Sequence, residues 1–447
     1  MAEKSAPFVV CCWLAATACG GDGESSPAFP ACEFSITKKE LSSKVPTVGI
    51  VEWSLTNGTP TSAKIVYALE DAADTLLNRG GEAPVKLDVP GYRTLLLGLK
   101  QARQYTFHIE ATLGARTCVS ETLALPTTGS FEGARTVGVE VVQPEKRDPG
   151  FIVTSSGSSL PSSAFIIDAD GELVWYFEGP QNLTRAHMDY EGENLWMLEL
   201  NLTNEEGEMR VVSMDGEREQ RNVPGLEKAH HDFTVMPGGK IAAISWGAPG
   251  IDPASELVIR SPDGTITKPF QIGSNLYRSD AFHANSIHYV PFDGSFTIAD
   301  RNPHVFVKVS STGEIAWQLG GSCEGAPAGD RCVARDWEVT HGHHLLEDGT
   351  FVVFNNTYTE RAHVLEFALS DTPSSFSATL IEEYAGDGAS TNLGDVQRLP
   401  GGNTLVSYAT DGKLVELDSS WNVVQTFTVR AGYTNFRPTL YGPPPRP

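Results

Sequence analysis

Apolar and polar residues alternate in short runs along most of the chain, the period-two pattern of half-buried β-strands. Val51-Glu52-Trp53-Ser54-Leu55 and Tyr105-Thr106-Phe107-His108-Ile109-Glu110 show it plainly. Gly, Pro, Asn and Asp close off these runs, and no long stretch holds a convincing helical period. The pattern predicts an all-β protein. At 447 residues the chain exceeds what one core usually supports, so two domains or one large repeat fold are expected.

The first region, residues 31–127, predicts a small β-sandwich with strands at Gly49–Leu55, Ser62–Leu69, Tyr92–Leu99 and Tyr105–Leu113. Its stretch from Leu97 to Tyr105 looks like the tyrosine corner of fibronectin type III modules, in which a phenol ties a sheet-to-sheet crossing. Such a module serves either as a spacer or lid beside a main domain or as a docking domain.

From about Val137 the sequence repeats itself. One series is a glycine turn between strands: Glu191-Gly192-Glu193, Gly238-Gly239-Lys240, Asp293-Gly294-Ser295, Asp348-Gly349-Thr350 and Gly401-Gly402-Asn403. A second is a turn leading into an outer strand, at Asp170-Gly171, Asp215-Gly216, Asp263-Gly264 and Thr312-Gly313, with Ser419-Ser420-Trp421 as a degenerate copy. Each series recurs roughly every 45–55 residues, the size of a four-stranded propeller blade. The region 137–440 therefore predicts a six-bladed β-propeller, and the prolines from Pro443 to Pro447 a frayed tail.

Charge narrows the partners. A formal net charge of −23 excludes nucleic acid, whose phosphates need clustered Lys and Arg. Any site for an anionic substrate must then build its own positive patch. Residues 1–19 read as an export signal ending in a lipobox-like Ala16-Thr17-Ala18-Cys19, with Cys19 as the residue to be lipidated and 20–30 as a tether. Membrane contact is expected only through that anchor, which places the protein in the periplasm or on the outer membrane or cell surface of a bacterium. The four cysteines outside the leader make two plausible pairs, Cys32 with Cys118 and Cys323 with Cys332, consistent with an oxidising compartment. None has zinc-site spacing.

Ten of the eleven histidines lie between His187 and His363. His230, His231, His283 and His341 each precede a glycine turn of the first series, so radial repetition would carry them to one end of the central channel. Arg301 follows the strand Ser295–Asp300 and adds a fixed positive charge. Asn285, two residues after His283, would share its face on an extended strand. Imidazoles with a guanidinium suit a tetrahedral oxyanion. Elsewhere, His187, His288, His304 and His363 read as surface or blade-packing residues. His343 reads as a neighbour of His341 on its face, and His344 as packing. Three converging histidines are also a possible zinc set, although Arg301 would repel a cation.

These residues resemble a family, the bacterial arylsulfate sulfotransferases that need no nucleotide sulfate donor. The stretches that carry the likeness are His230-His231-Asp232-Phe233, His283-Ala284-Asn285-Ser286-Ile287, Asp300-Arg301-Asn302 leading to Gly313–Gly321, and His341 through Asp348-Gly349 to Phe354-Asn355-Asn356. An aspartate stands in the family pattern where this chain has Asn355. The resemblance implies a ping-pong transfer of a sulfuryl group from an aryl sulfate to a phenol through a sulfohistidine, with no cofactor. His341 matches the nucleophile, with His343 and His344 as neighbours that leave the choice open. His231, His283, Asn285 and Arg301 match the groups that hold the sulfuryl oxygens, and His230 competes with His231 for its place. Some members carry a short-loop disulfide near Cys323 and Cys332. The reading allows a homodimer. The rival readings are a non-catalytic surface-anchored binding propeller and a metal-dependent hydrolase using the same histidines.

Overall fold

The computed structural model describes residues 32–71, 73, 75–157, 162–179, 182–201, 206–247, 255–272, 283–326, 328–336, 339–356, 361–372, 374–386 and 388–445. The leader, Cys19 and the tether lie outside them. The protein is all-β, built of several antiparallel sheets joined by turns and short 3₁₀ segments.

The first region folds as two facing sheets. One is formed by Phe34–Leu41, Gly49–Leu55 and Thr94–Leu96. The other is formed by Gly80–Pro84, Ser62–Leu69, Tyr105–Leu113 and Arg116–Val119, with Leu123–Ala124 also against Tyr105–Leu113. Trp53, Ile65, Leu96, Tyr105, Phe107 and Ile109 are the buried core between them. The expected strand Tyr92–Leu99 is shorter than the pattern implied. Pro90-Gly91 makes a 3₁₀ turn with Gly91 at φ 66°, and only Thr94–Leu96 pairs. The Tyr105 hydroxyl then accepts the Lys100 N–H at 2.9 Å, the tie expected of a tyrosine corner. Cys32 and Cys118 are disulfide-bonded.

Among the described residues six sheets follow in succession. The first comprises Phe151–Ser155, Ser162–Asp168 and Leu173–Gly179, completed on its inner side by Thr434–Arg437 from the far end of the chain. The second runs Leu183–Met188, Asn194–Asn201, Glu206–Ser213 and Glu219–Gln220, and the third Ala229–Met236, Lys240–Trp246, Ser255–Arg260 and Ile266–Gln271. Next are Ala284–Val290, Ser295–Asp300, Val305–Val309 and Ile315–Gly320, with Cys332–Val333 added at the edge in parallel. The fifth is Val339–Leu345, Thr350–Asn356, His363–Thr372 and Ser375–Ala385. The sixth is Asp395–Arg398, Thr404–Tyr408, Lys413–Leu417 and Val423–Thr428, with Gly138–Val141 as its outermost strand.

The inner strand of each sheet packs against the inner strand of the next, and Asp395–Arg398 packs against Thr434–Arg437, which packs against Leu183–Met188. The six inner strands thus close a ring. Every glycine turn of the first series joins an inner strand to its neighbour, and every turn of the second series leads into a fourth strand. In the degenerate copy Trp421 takes φ 61°, a left-handed conformation that the other turns give to glycine.

The sandwich is fastened to the first two sheets. Lys100 is fully buried and paired with Asp168 and Asp170, while Arg93 meets Asp215 at 2.6 Å. Where the prolines suggested a frayed tail, the chain after the ring is packed as far as Pro445, and residues 446–447 lie outside the described residues. The Tyr441 hydroxyl accepts the Leu97 N–H at 2.7 Å and donates to the Leu95 carbonyl at 3.0 Å, and its ring joins the sandwich core. Pro444 and Pro445 lie beyond it, against the inner strands.

Candidate functional site

Besides Leu183–Met188, whose register shifts between Leu183 and Arg185, three inner strands begin with a local break in their pairing. Register shifts fall between Ala229 and Phe233, between Ala284 and Ser286, and between Thr340 and His343. A bulge re-aims the side chain it carries and increases the local twist. These bulges hold His230 and His231, Asn285, and His341. His231 sits at φ 57°, a conformation costly for a branched or bulky residue and one that concentrates at functional sites.

The bulges bring together the residues singled out from sequence. The rings of His231 and His283 lie 4.6 Å apart, edge to face. His230 Nδ1 and His231 Nδ1 are 2.7 Å apart, and His230 is stacked on Trp246 with its Nε2 3.2 Å from Ser255 Oγ. Arg301 follows its strand in a turn where its N–H bonds the His283 carbonyl at 3.0 Å. Its positive charge acts on His231, His283 and His341 together. Asp300 shapes this turn by accepting the His283 N–H at 2.8 Å. Burial raises its carboxyl to about 7.

His341 has a fixed tautomer. The Asn356 amide nitrogen donates to the carbonyls of Ser390 and Leu393 at 2.7 and 2.8 Å. Both amide protons are spent, so Asn356 Oδ1 must accept, and it lies 2.5 Å from His341 Nδ1. The ring proton is therefore on Nδ1, and Nε2 keeps its lone pair. Burial lowers the His341 pKa to about 3, with Arg301 and His283 pushing the same way and Asn356 opposing. At neutral pH the ring is an uncharged base with one free nitrogen.

Asn285 spends one of its two amide protons within the site. Its amide nitrogen donates to the Thr340 carbonyl at 2.8 Å, beside His341. His343 and His344 do not share the face of His341, because the bulge between Thr340 and His343 breaks the alternation. His343 is packed against Phe306 and Phe351 and bonds Thr297 at 2.9 Å. His344 lines a cavity further along the ring, together with His187 and His288; His187 also packs on the Phe233 ring and His288 on the His343 ring. His363 sits at an outer strand, 2.6 Å from Glu383. Cys323 and Cys332 are bonded in a loop on the edge of the fourth sheet.

Beneath the cluster lies a feature not anticipated from sequence. Arg185 is completely buried and grips Asp232 with two bonds, 2.6 and 3.0 Å. It also reaches Asp395 at 3.3 Å and the Thr434 carbonyl at 3.2 Å, and its guanidinium covers the Tyr433 ring at 4.5 Å. Tyr433 in turn donates to the Asn285 carbonyl at 2.6 Å. Asp232, next to His231, accepts the Ile287 N–H at 2.8 Å. This plug ties five inner strands together below the bulges. Its signal was present: Arg185 precedes the Gly192 turn much as Asp232 precedes the Gly238 turn. Likewise, His341 and Asn356 stand at equal distances either side of Asp348-Gly349, the symmetry of partners across a hairpin.

Residues 265–430 match the arylsulfotransferase (ASST) family model. That stretch carries His283, Asn285, Arg301, His341 and Asn356, whereas Arg185, His230 and His231 precede it. The arylsulfotransferase likeness thus covers the nucleophile candidate, its orienting amide and the guanidinium. Comparison with curated proteins finds no match. Solved structures are only loosely similar. A protein of unknown function from Bacteroides caccae is 14% identical over 64% of this chain and 98% of its own, with a TM-score of 0.44. Virginiamycin B lyase from Staphylococcus aureus is 12% identical over 65% and 88%, with a TM-score of 0.39. A streptogramin B lyase is 11% identical over 65% and 86%, with a TM-score of 0.40.

Proposed function

We propose that the chain is a six-bladed β-propeller arylsulfotransferase (residues 137–440) behind a fibronectin-III-like sandwich (31–127), moving a sulfuryl group between phenols through His341 without a nucleotide donor. The single observation that carries this reading is the His341–Asn356 pair. It leaves an uncharged imidazole with a free Nε2 within the field of Arg301. The family match over the same residues supports it.

In the first half-reaction His341 Nε2 attacks the sulfur of an aryl sulfate. The N–S bond forms, the S–O bond to the ring breaks, and the phenolate leaves. Developing charge on the sulfuryl oxygens is met by Arg301 and by imidazole N–H groups, the kind of preorganised electrostatics that usually supplies the largest part of such catalysis. His231 suits that task. If Ser255 donates to His230 Nε2, His230 donates from Nδ1 to His231 Nδ1, and the His231 proton falls on Nε2. His283 is partly exposed, and its lowered pKa leaves it a neutral base; we assign it the proton that the incoming phenol gives up, which it passes to solvent, while the phenolate of the first half-reaction departs as the anion. In the second half-reaction the deprotonated acceptor attacks sulfur, and the N–S bond breaks. Asn285 positions the strand of His341 through the Thr340 carbonyl.

The two disulfides accord with an oxidising compartment, and we read the protein as exported, with a lipid anchor at Cys19. The test is transfer from 4-nitrophenyl sulfate to a phenol with EDTA present. Phenol-dependent release of nitrophenol that survives chelation, with ping-pong kinetics, is expected. Activity lost to EDTA would mark a metal-dependent hydrolase, and no turnover with any phenol in folded protein would mark a binding propeller.

A further inference from the structure

We propose that a second cavity, at the opposite end of the ring from the bulges, is a binding site for one small tetrahedral oxyanion. Beyond the Arg185 plug the same inner strands carry His187, His288 and His344 into a cavity of about 70 Å³, floored by Pro444 and Pro445. A water needs roughly 10–15 Å³ of such space, so the cavity takes several waters or one ion of sulfate size.

The walls are built for a ligand that accepts hydrogen bonds. His344 Nδ1 accepts the Arg398 N–H at 3.1 Å, which leaves the proton on Nε2. His288 Nε2 faces an Arg185 N–H at 3.5 Å, which leaves the proton on Nδ1. Gln397 Oε1 accepts the Phe436 N–H at 2.8 Å, so its amide nitrogen remains a donor. His187 is buried, and neither of its ring nitrogens has a partner. A buried imidazole with both nitrogens unsatisfied is costly, and a ligand that bonds it removes that cost.

Charge agrees in sign. Arg185 and Arg437 both act on His187, and Arg185 acts on His288. The carboxylate on the wall, Asp395, is already engaged by Arg185 and by the Thr434 N–H at 2.8 Å. A metal would need imidazole lone pairs where His288 and His344 hold protons. Among the described residues no group of three or more His, Cys, Asp or Glu is arranged to hold one. Asn435 Oδ1, buried on the same wall without a partner, can take the proton of a hydrogenphosphate.

The test is calorimetric titration with inorganic phosphate on three proteins: the parent, the double variant His341→Ala/Arg301→Ala, and His187→Phe. Thermal melts verify folding. One phosphate per chain is expected in the parent and in the double variant. His187→Phe should weaken it by about tenfold or more, the worth of a buried hydrogen bond. Should His187→Phe not fold, Gln397→Met takes its place with the same expectation. Absence of binding at millimolar phosphate overturns the proposal. So does binding that vanishes in the double variant but survives His187→Phe, because the anion then sits at the sulfuryl site. A tetrahedral cobalt spectrum lost in His187→Phe would overturn it as well, in favour of a metal.

Discussion

The two ends of the ring use the same residue type on its inner strands for different ends. At one end His231, His283 and His341 are presented by bulges or by the turn before a strand, with a positive-φ backbone at His231 and Arg301 among them. At the other, His187, His288 and His344 project from regularly paired strand around the second cavity. Burial lowers the pKa of all six, so protonation state does not distinguish them. What does is the second partner. Asn356 fixes the His341 proton away from the open site and frees a lone pair, whereas Arg398 and Arg185 turn His344 and His288 into donors. Which nitrogen its neighbour occupies decides whether a histidine presents a lone pair or a proton to its surroundings.

That contrast can be broken most severely at His341. Substitution to Ala should lower transfer by about 10⁴-fold or more, as removal of a covalent nucleophile does, while melting temperature changes little. Arg301→Ala should cost about 10²–10³-fold in kcat, the scale of losing one preorganised charge. Asn356→Leu removes the tautomer lock and should cost about 10²-fold. The same substitution leaves two buried carbonyls unpartnered, so stability should also drop by about 1–3 kcal/mol, checked by urea unfolding. By contrast, His187→Phe should leave transfer kinetics within about twofold of the parent, because a substitution beyond the plug removes no group from the reacting centre.

The plug separates the two ends and can be tested on its own. Arg185→Met leaves Asp232 and Asp395 buried without their cation, and should destabilise the fold by about 3–5 kcal/mol. Loss of transfer in whatever folded fraction remains would show that His231 depends on Asp232 for its place.

Acidification sharpens the comparison least but touches both ends. Folded His341, His343 and His230 titrate near 3 and His344 near 4, against about 6.5 unfolded. Between those values the unfolded chain binds more protons, so stability rises with pH and is lost as pH falls from about 6.5 towards 3. Asp300, raised to about 7, works against this, since its folded form holds a proton from about 4 to 7. Asp168 and Asp395, raised to about 6, act likewise. The histidines outnumber them, and the melting temperature should fall from pH 7 to pH 4.5. A flat profile would mean that the imidazoles are hydrated in solution.

Much of this was legible in the chain. Strand alternation located Gly49–Leu55, Ser62–Leu69 and Tyr105–Leu113 to the residue, and the glycine turns marked both hairpin series. Blade equivalence gathered His231, His283 and His341. What escaped depended on geometry that periodicity does not encode. Bulges broke the alternation that would have set His343 beside His341. Pro90-Gly91 cut short the strand before Leu99. Arg185 lies far in sequence from Asp395 and meets it only because the ring closes. The prolines after Tyr441 read as disorder by composition, yet Pro444 and Pro445 lie against the ring, next to a tyrosine held by the sandwich.

The most direct test is to expose the protein to 4-nitrophenyl sulfate without acceptor, quench it, and map the modified peptide by mass spectrometry. The account predicts one sulfuryl group on His341, absent from His341→Ala and discharged when phenol is added before the quench. A sulfuryl group on another histidine, or turnover with no covalent intermediate at any time point, would contradict it.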